Sequence, residues 1–202
     1  MSSPRERMVV SAALLIRERG AQSTAIADVL EHSGAPRGSA YHYFPGGRTQ
    51  LLCEAVDYAA DHMVRHLDAA PSCLDALDEL FARQAELLRD SDFRAGCPVV
   101  AVAVEAGDPD AAERPVLDRA AAAFTRWHEV LAARLRADGV AGDRADDLAV
   151  LALSAFEGAL VIARAQRDDE PLRRVHTHLA EMIQAALPAG TRKRARDARH
   201  PG

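Results

Sequence analysis

Residues Ser33 to Arg48, reading SGAPRGSAYHYFPGGR, constrain this chain more than any other stretch. Gly34 and the run Pro45-Gly46-Gly47 break a helix on either side. Between them Pro36 suits the first turn of a helix, because its fixed φ is already helical and its missing N–H would be unpaired there. The spacing therefore predicts a short helix over about Pro36 to Tyr43. Isolated helices shorter than about 12 to 15 residues are marginal in water. Such a helix must be held by neighbours and presented for a purpose.

The neighbours are legible on both sides. Val9, Ala12, Ala13 and Ile16 fall at i, i+3, i+4 and i+7, one face of a first helix that Gly20 stops. A second helix is expected from Ser23 or Thr24, either able to cap it, with Ile26, Val29 and Leu30 inward and Gly34 as its end. After Gly47 a long amphipathic helix, about 48–69, carries Leu52, Ala55, Val56, Ala59, Met63 and Leu67 on its inner face, and Pro71 closes it. Three helices around a glycine turn make a helix-turn-helix pattern. Its second helix lies in the major groove of DNA with its N-terminal residues at base edges, here Arg37, Gly38 and Ser39. Arg37 can read guanine O6 and N7 or clamp a phosphate, and Gly38 lets the backbone come close to DNA. Tyr41 either packs its ring in the small core or sends its hydroxyl to a phosphate, as His42 and Tyr43 can; Phe44 is assigned to the core.

Aromatics make up only 4% of a chain that is 49% hydrophobic, so the core is aliphatic and Ala-rich, which favours helices. Helical spacing recurs in Leu74 to Leu88, in Cys97 to Glu105, in about Asp110 to Ala137, where Pro115 marks a kink or the true start, and in Leu172 to Ala186. Leu148 to Ala163 is apolar almost all round and must be buried on more than one side. Paired with copies in a second chain, the last two helices would form a four-helix homodimer interface through about 143–187. Because it contains Glu157 and falls short of the roughly 20 residues that span a bilayer, the apolar run is not read as a membrane helix. Residues 1–50 hold six arginines against four acidic residues, whereas 51–190 are strongly acidic and the tail 191–202 is basic and expected to be disordered. Cys53, Cys73 and Cys97 lack metal-ligand spacing, no signal sequence opens the chain, and a reduced, cytoplasmic protein without metal or cofactor is expected.

The first helix, the Thr24 region, Gly34 and the run Arg37-Gly38-Ser39-Ala40-Tyr41-His42-Tyr43-Phe44 resemble the DNA-binding lobe of the TetR-type (tetracycline-repressor) family over about residues 5–60. Gly96-Cys97-Pro98-Val99, the added glycine of Phe44-Pro45-Gly46-Gly47 and Phe156-Glu157-Gly158 look like the multidrug-sensing subgroup related to the lincomycin-resistance regulator. The resemblance implies an all-α homodimeric regulator, usually a repressor. A helix-turn-helix domain over 1–50 would be joined by the long fourth helix to a ligand-binding and dimerisation domain over 51–190. It also implies operator DNA and a small apolar or aromatic effector as partners, and phosphate contacts from Thr24 and Arg48.

An effector site between helices would be mostly apolar with a few polar groups. Phe93, Cys97, Val100, Val104, Phe124, Trp127, His128, Phe156, Glu157 and Leu160 are its candidate lining. Glu157 stands out, because a buried carboxylate needs a partner such as His128, an arginine or a cationic ligand; a structural salt bridge or a dimer-interface hydrogen bond is its plainer role. The rival reading is an all-helical carrier or enzyme using His128, Glu157 or Cys97, which no phosphate loop, metal pair or nucleophile elbow supports. A redox role for Cys97, at a helix N-terminus, has no resolving cysteine nearby in sequence.

Overall fold

A computed structural model of the chain describes residues 3–105 and 114–188. Among the described residues it contains nine helices and no strand: α1 (Pro4–Arg19), α2 (Ile26–Ser33), α3 (Ala40–Tyr43), α4 (Gly47–Ala69), α5 (Cys73–Asp90), α6 (Pro98–Glu105), α7 (Arg114–Ala137), α8 (Gly142–Gln166) and α9 (Glu170–Ala186). The all-α expectation holds. The expected start of the seventh helix at Asp110, and the basic tail from residue 191, lie outside the described residues; Pro115 is the second residue of α7 as described.

The chain divides into two compact units that interleave in sequence. One comprises residues 1–63 and 91–126, the other 64–90 and 127–202. This differs from a division at residue 50, because α6 and the first half of α7 return to pack with the N-terminal helices. The boundaries fall inside α4 and α7.

In the first unit α1 opens on a capping box. The Glu6 N–H donates to Ser3 Oγ at 3.2 Å, and the Ser3 N–H donates to the Glu6 carboxylate at 2.8 Å. Met8, Val9, Ala12, Ala13 and Ile16 are its buried face. The second helix begins later than Ser23 or Thr24 would place it. Ala25 stands at the N-cap and brings no side-chain acceptor; the Asp28 carboxylate instead accepts the Ala25 N–H at 3.0 Å, half of a capping box, and pairs with Arg19 at 2.8 Å. Gly34 ends α2 in the left-handed conformation, φ 63°.

The short third helix is half as long as the spacing predicts. Pro36 to Ser39 form a turn in which both the N–H and the hydroxyl of Ser39 donate to the Pro36 carbonyl, at 2.9 and 2.7 Å, and α3 proper starts at Ala40. Gly38 loses more backbone entropy in a helix than other residues, and the serine hydroxyl offers the turn its own hydrogen bond. Phe44 is buried, and the Arg5 guanidinium lies 5.3 Å from its ring centroid. Along α4 the buried positions are Leu51, Leu52, Ala55, Val56, Ala60, Val64 and Leu67, so Ala60 and Val64 take the inward places assigned to Ala59 and Met63.

The second unit is built on α8 and α9 packed together with α5. Phe81 of α5 meets Phe156 of α8 edge to face, centroids 5.0 Å apart, and its own helix pairs with α9 through Asp78 and His176 at 2.6 Å. Burial alone would raise the Asp169 carboxyl, but hydrogen bonds from Arg173 and Arg89 and their charges outweigh it and hold it below the usual range. The apolar run of α8 sits in a helix of 25 residues, long enough to cross a bilayer, contrary to the length expected from the run alone. It is used here as a packed helix, with Leu148, Ala152, Phe156 and Leu160 buried.

Phe44 closes the small core under the turn. Phe44→Ala is expected to cost about 3 to 5 kcal/mol, read as a lower urea midpoint of the first unit.

Candidate nucleic-acid interface

The elements around α3 present one group of side chains outward. Arg37 is exposed and makes no ion pair with a described residue, and Gly38 beside it is exposed too. A Cβ at Gly38 would meet nothing within 4 Å, and its φ is not in the left-handed region. A side chain at Gly38 would therefore meet no part of the described fold. Tyr41 is 70% exposed, so the choice between core and surface falls to the surface. His42 is exposed as well and meets the half-buried Tyr43 edge on, centroids 5.2 Å apart. Ser39 is half-buried with its hydroxyl already on Pro36. Arg37 and Gly38 in the turn and Tyr41 and His42 in α3 are thus all exposed, forming an outward strip beside the buried Ala40 and Phe44.

Comparison with known proteins gives this strip a context. The family model described as "Transcriptional regulator LmrA/YxaF-like, C-terminal domain" matches residues 73–178. The HTH-type transcriptional regulator Rv0196 of Mycobacterium tuberculosis is 59% identical over 194 residues, covering 95% of this chain and all of that protein.

The chain belongs to the TetR-type family of helix-turn-helix transcriptional regulators.

Among other relatives of this TetR-type regulator, LmrA of Bacillus subtilis is 24% identical over 180 residues, 89% of this chain and 96% of that protein. A TetR transcriptional regulator from Legionella pneumophila has the same fold, with a TM-score of 0.78 over 91% of this chain and 98% of that one at 20% identity. The subgroup suggested by Gly96-Cys97-Pro98-Val99 and Phe156-Glu157-Gly158 agrees with the LmrA/YxaF match. TetR-type regulators bind DNA and do not catalyse reactions, so the carrier or enzyme alternative finds no support.

Two residues that the resemblance assigns to phosphate have internal roles in this TetR-type chain. Thr24 is 1% exposed, and its hydroxyl donates to the Gly20 carbonyl at 2.7 Å. Arg48, at the start of α4, turns its guanidinium onto the α1–α2 loop, donating to the carbonyls of Thr24 at 2.9 Å, Gln22 at 3.4 Å and Ala21. Both side chains thus have partners inside the fold, because carbonyls of this loop turn toward α4 and toward Thr24, and an unpaired carbonyl away from water is costly. Sequence offered no signal for it, since an arginine after a glycine pair is as suited to a phosphate as to a carbonyl. Glu105, which accepts the Gln22 N–H from the other side, was not singled out either.

The ten candidate effector residues divide between the units. Phe93, Cys97, Val100, Val104 and Phe124 lie in the first, Trp127, His128, Phe156, Glu157 and Leu160 in the second. Trp127, Phe156 and Leu160 are core residues of their unit, Glu157 is 8% exposed, and Val104 is 75% exposed at the end of α6. The described depressions lined by His66, Glu79, Arg83, Glu86 and Arg89, and by Arg5, Glu54, Asp57 and Tyr58, include none of the ten.

Cys73 is buried, and burial first, then the neighbouring Asp138 charge, pushes its thiol up to about 12; Cys53 is raised too, chiefly by burial. A thiol with that pKa stays protonated at pH 8, and only the thiolate attacks. Cys73 is expected to resist Ellman's reagent in the native protein at pH 8 and to react once denatured; rapid native labelling at Cys73 would contradict its burial. Arg48→Met is expected to lower stability by roughly 1.5 to 3 kcal/mol, the range for hydrogen bonds to a charged donor. It is also expected to leave the salt slope of DNA binding unchanged, whereas a lost phosphate contact would flatten that slope by about 0.9.

Proposed function

We propose that this regulator is a homodimeric repressor that reads its operator with the strip Arg37, Gly38, Ser39, Tyr41, His42 and Tyr43 and releases it on binding a small apolar or aromatic effector. The observation that carries the DNA-reading part is Gly38: a glycine that the fold does not need, beside an exposed arginine, where a backbone must approach a surface from outside. Arg37 supplies the fork that matches guanine O6 and N7, and Tyr41 and His42 reach the flanking phosphates. The protein works where the chromosome is, in the cytoplasm.

Dimerisation is supported by the outward face of α8. Val150, Leu151, Val161 and Ile162 are exposed on the side away from the buried Leu148, Ala152, Phe156 and Leu160, and Met182 of α9 is exposed too. Covering that face with a second copy would pair α8 and α9 of each chain in a four-helix contact within about 143–187. Two recognition strips would then meet half-sites one helical turn, or a multiple of it, apart. An effector acts by binding one arrangement of those strips better than the other. The ten candidate residues remain its proposed contacts.

Gel shifts on DNA upstream of the regulator's own gene test the reading. Arg37→Ala is expected to weaken specific binding by roughly five- to 150-fold, about 1 to 3 kcal/mol for a lost bidentate base contact, with helicity unchanged. Unaltered affinity at fixed salt would remove Arg37 from the interface. Sedimentation at micromolar concentration is expected to give a dimer, and Ile162→Glu a monomer; a monomeric wild-type protein would end the α8 assignment. Compounds that dissolve the complex in the same assay identify the effector class.

A further inference from the structure

Residues 20–25 join α1 to α2, and the polar groups of this loop are claimed from three directions. Thr24 Oγ1 donates back to the Gly20 carbonyl. Arg48 covers the carbonyls of Ala21, Gln22 and Thr24 from the start of α4. From α6, the Glu105 carboxylate accepts the Gln22 N–H at 2.9 Å, while the Glu105 carbonyl accepts from the Gln22 side-chain amide at 3.2 Å. The carboxylate comes so close that a Cβ on Gly20 would overlap it, and Gly20 has φ +91°. Glycine is needed there for the backbone conformation, and a larger residue would also push the Glu105 carboxylate from its place. A cation covers the loop's carbonyls and an anion takes its N–H, so the loop is clamped between α4 and α6.

Two residues before the start of α6, the Gly96 N–H donates to the Arg17 carbonyl at 2.8 Å. The helix and the residues leading into it are thus bonded to α1 and the loop that follows it. By sequence, however, α6 lies inside the match to the family's C-terminal domain, residues 73–178. A helix that belongs by sequence to the C-terminal domain is built into the unit that holds the helix-turn-helix.

We propose that Glu105 is a positioning residue for operator binding: its carboxylate passes the position of α6 through the Gln22 N–H and the Arg48-capped loop to the helix-turn-helix. The identity of what moves α6 rests on the effector reading above; the latch itself does not. When α6 is in place the loop fixes where α2 starts and where α4 begins, and these two helices flank the recognition strip. If the carboxylate is lost, the Gln22 N–H loses its acceptor and the loop is held from the Arg48 side and by Thr24 on Gly20.

The test uses the full-length dimer as wild type, Glu105→Ala and Glu105→Gln. Amide hydrogen exchange is followed at 21–24 and at 37–44, alongside fluorescence anisotropy on a DNA fragment from upstream of the gene. In Glu105→Ala, exchange is expected to rise about tenfold in both segments and operator affinity to fall about five- to tenfold, because local opening of the loop becomes easier. Glu105→Gln keeps an acceptor oxygen at the same reach and is expected to restore both within about twofold. If Glu105→Ala loses helicity, Glu105→Asp, one methylene too short to reach Gln22, carries the same expectation. Faster exchange confined to 21–24, unchanged operator affinity in Glu105→Ala, or a Glu105→Gln protein as impaired as Glu105→Ala would each overturn the proposal. If the wild-type protein fails to bind the fragment, the choice of operator fails, and the spread of exchange from 21–24 to 37–44 still decides the latch.

Discussion

The guanidinium of Arg48 turned onto three loop carbonyls is the interaction on which the geometry of the DNA-binding unit depends. The loop between α1 and α2 closes the Gly20 and Ala21 carbonyls partly from within, through the Thr24 hydroxyl and N–H, and the planar fork of Arg48 meets several of its acceptors at once where an ammonium would meet them singly. The bond ties the first turn of α4 to the entry of α2. The recognition strip lies between those two points in sequence, so its supports are set before any contact with DNA is made.

The recognition element itself is small. Only Ala40 to Tyr43 are helical, and the turn from Pro36 to Ser39 carries the outward arginine and glycine. Such an element has little stability of its own and takes its shape from Phe44 beneath it, from Gly34 in a left-handed conformation before it, and from the Arg5 guanidinium against the Phe44 ring. A regulator gains from this arrangement, because a strip whose shape is borrowed from its supports responds to small movements of them.

The second unit applies different physics. In α8 a buried stripe and an exposed apolar stripe share one helix, so hydrophobic residues face both the inside of their own unit and the outside. Leaving Val150, Leu151, Val161 and Ile162 in water costs transfer free energy that a partner surface recovers. The packing of α5 against α8 and α9 adds directional contacts, the Asp78–His176 bond and the Phe81 ring against those of Phe156 and His176, which hold the buried side in register.

Much of this was legible in the chain alone. Helical periodicity located the helices, because burial on one face writes a 3.6-residue rhythm into the sequence, and Gly20, Gly34 and Pro45-Gly46-Gly47 marked their ends, because backbone conformation at those points is set locally. The family was legible too, since Tyr41-His42-Tyr43-Phe44 and its glycine turn form a contiguous pattern. What tertiary structure alone decided is where polar side chains spend their hydrogen bonds. Thr24 and Arg48 carry the chemistry of phosphate ligands and also hydrogen-bond carbonyls of the α1–α2 loop, and Glu105 meets Gln22 across 83 residues of sequence. The start of α3 at Ala40 has a local cause instead, the turn that Ser39 closes on the Pro36 carbonyl. Apolar periodicity is a property of one segment and can be read along it; a hydrogen bond is a property of two segments, and only their meeting in space names the pair.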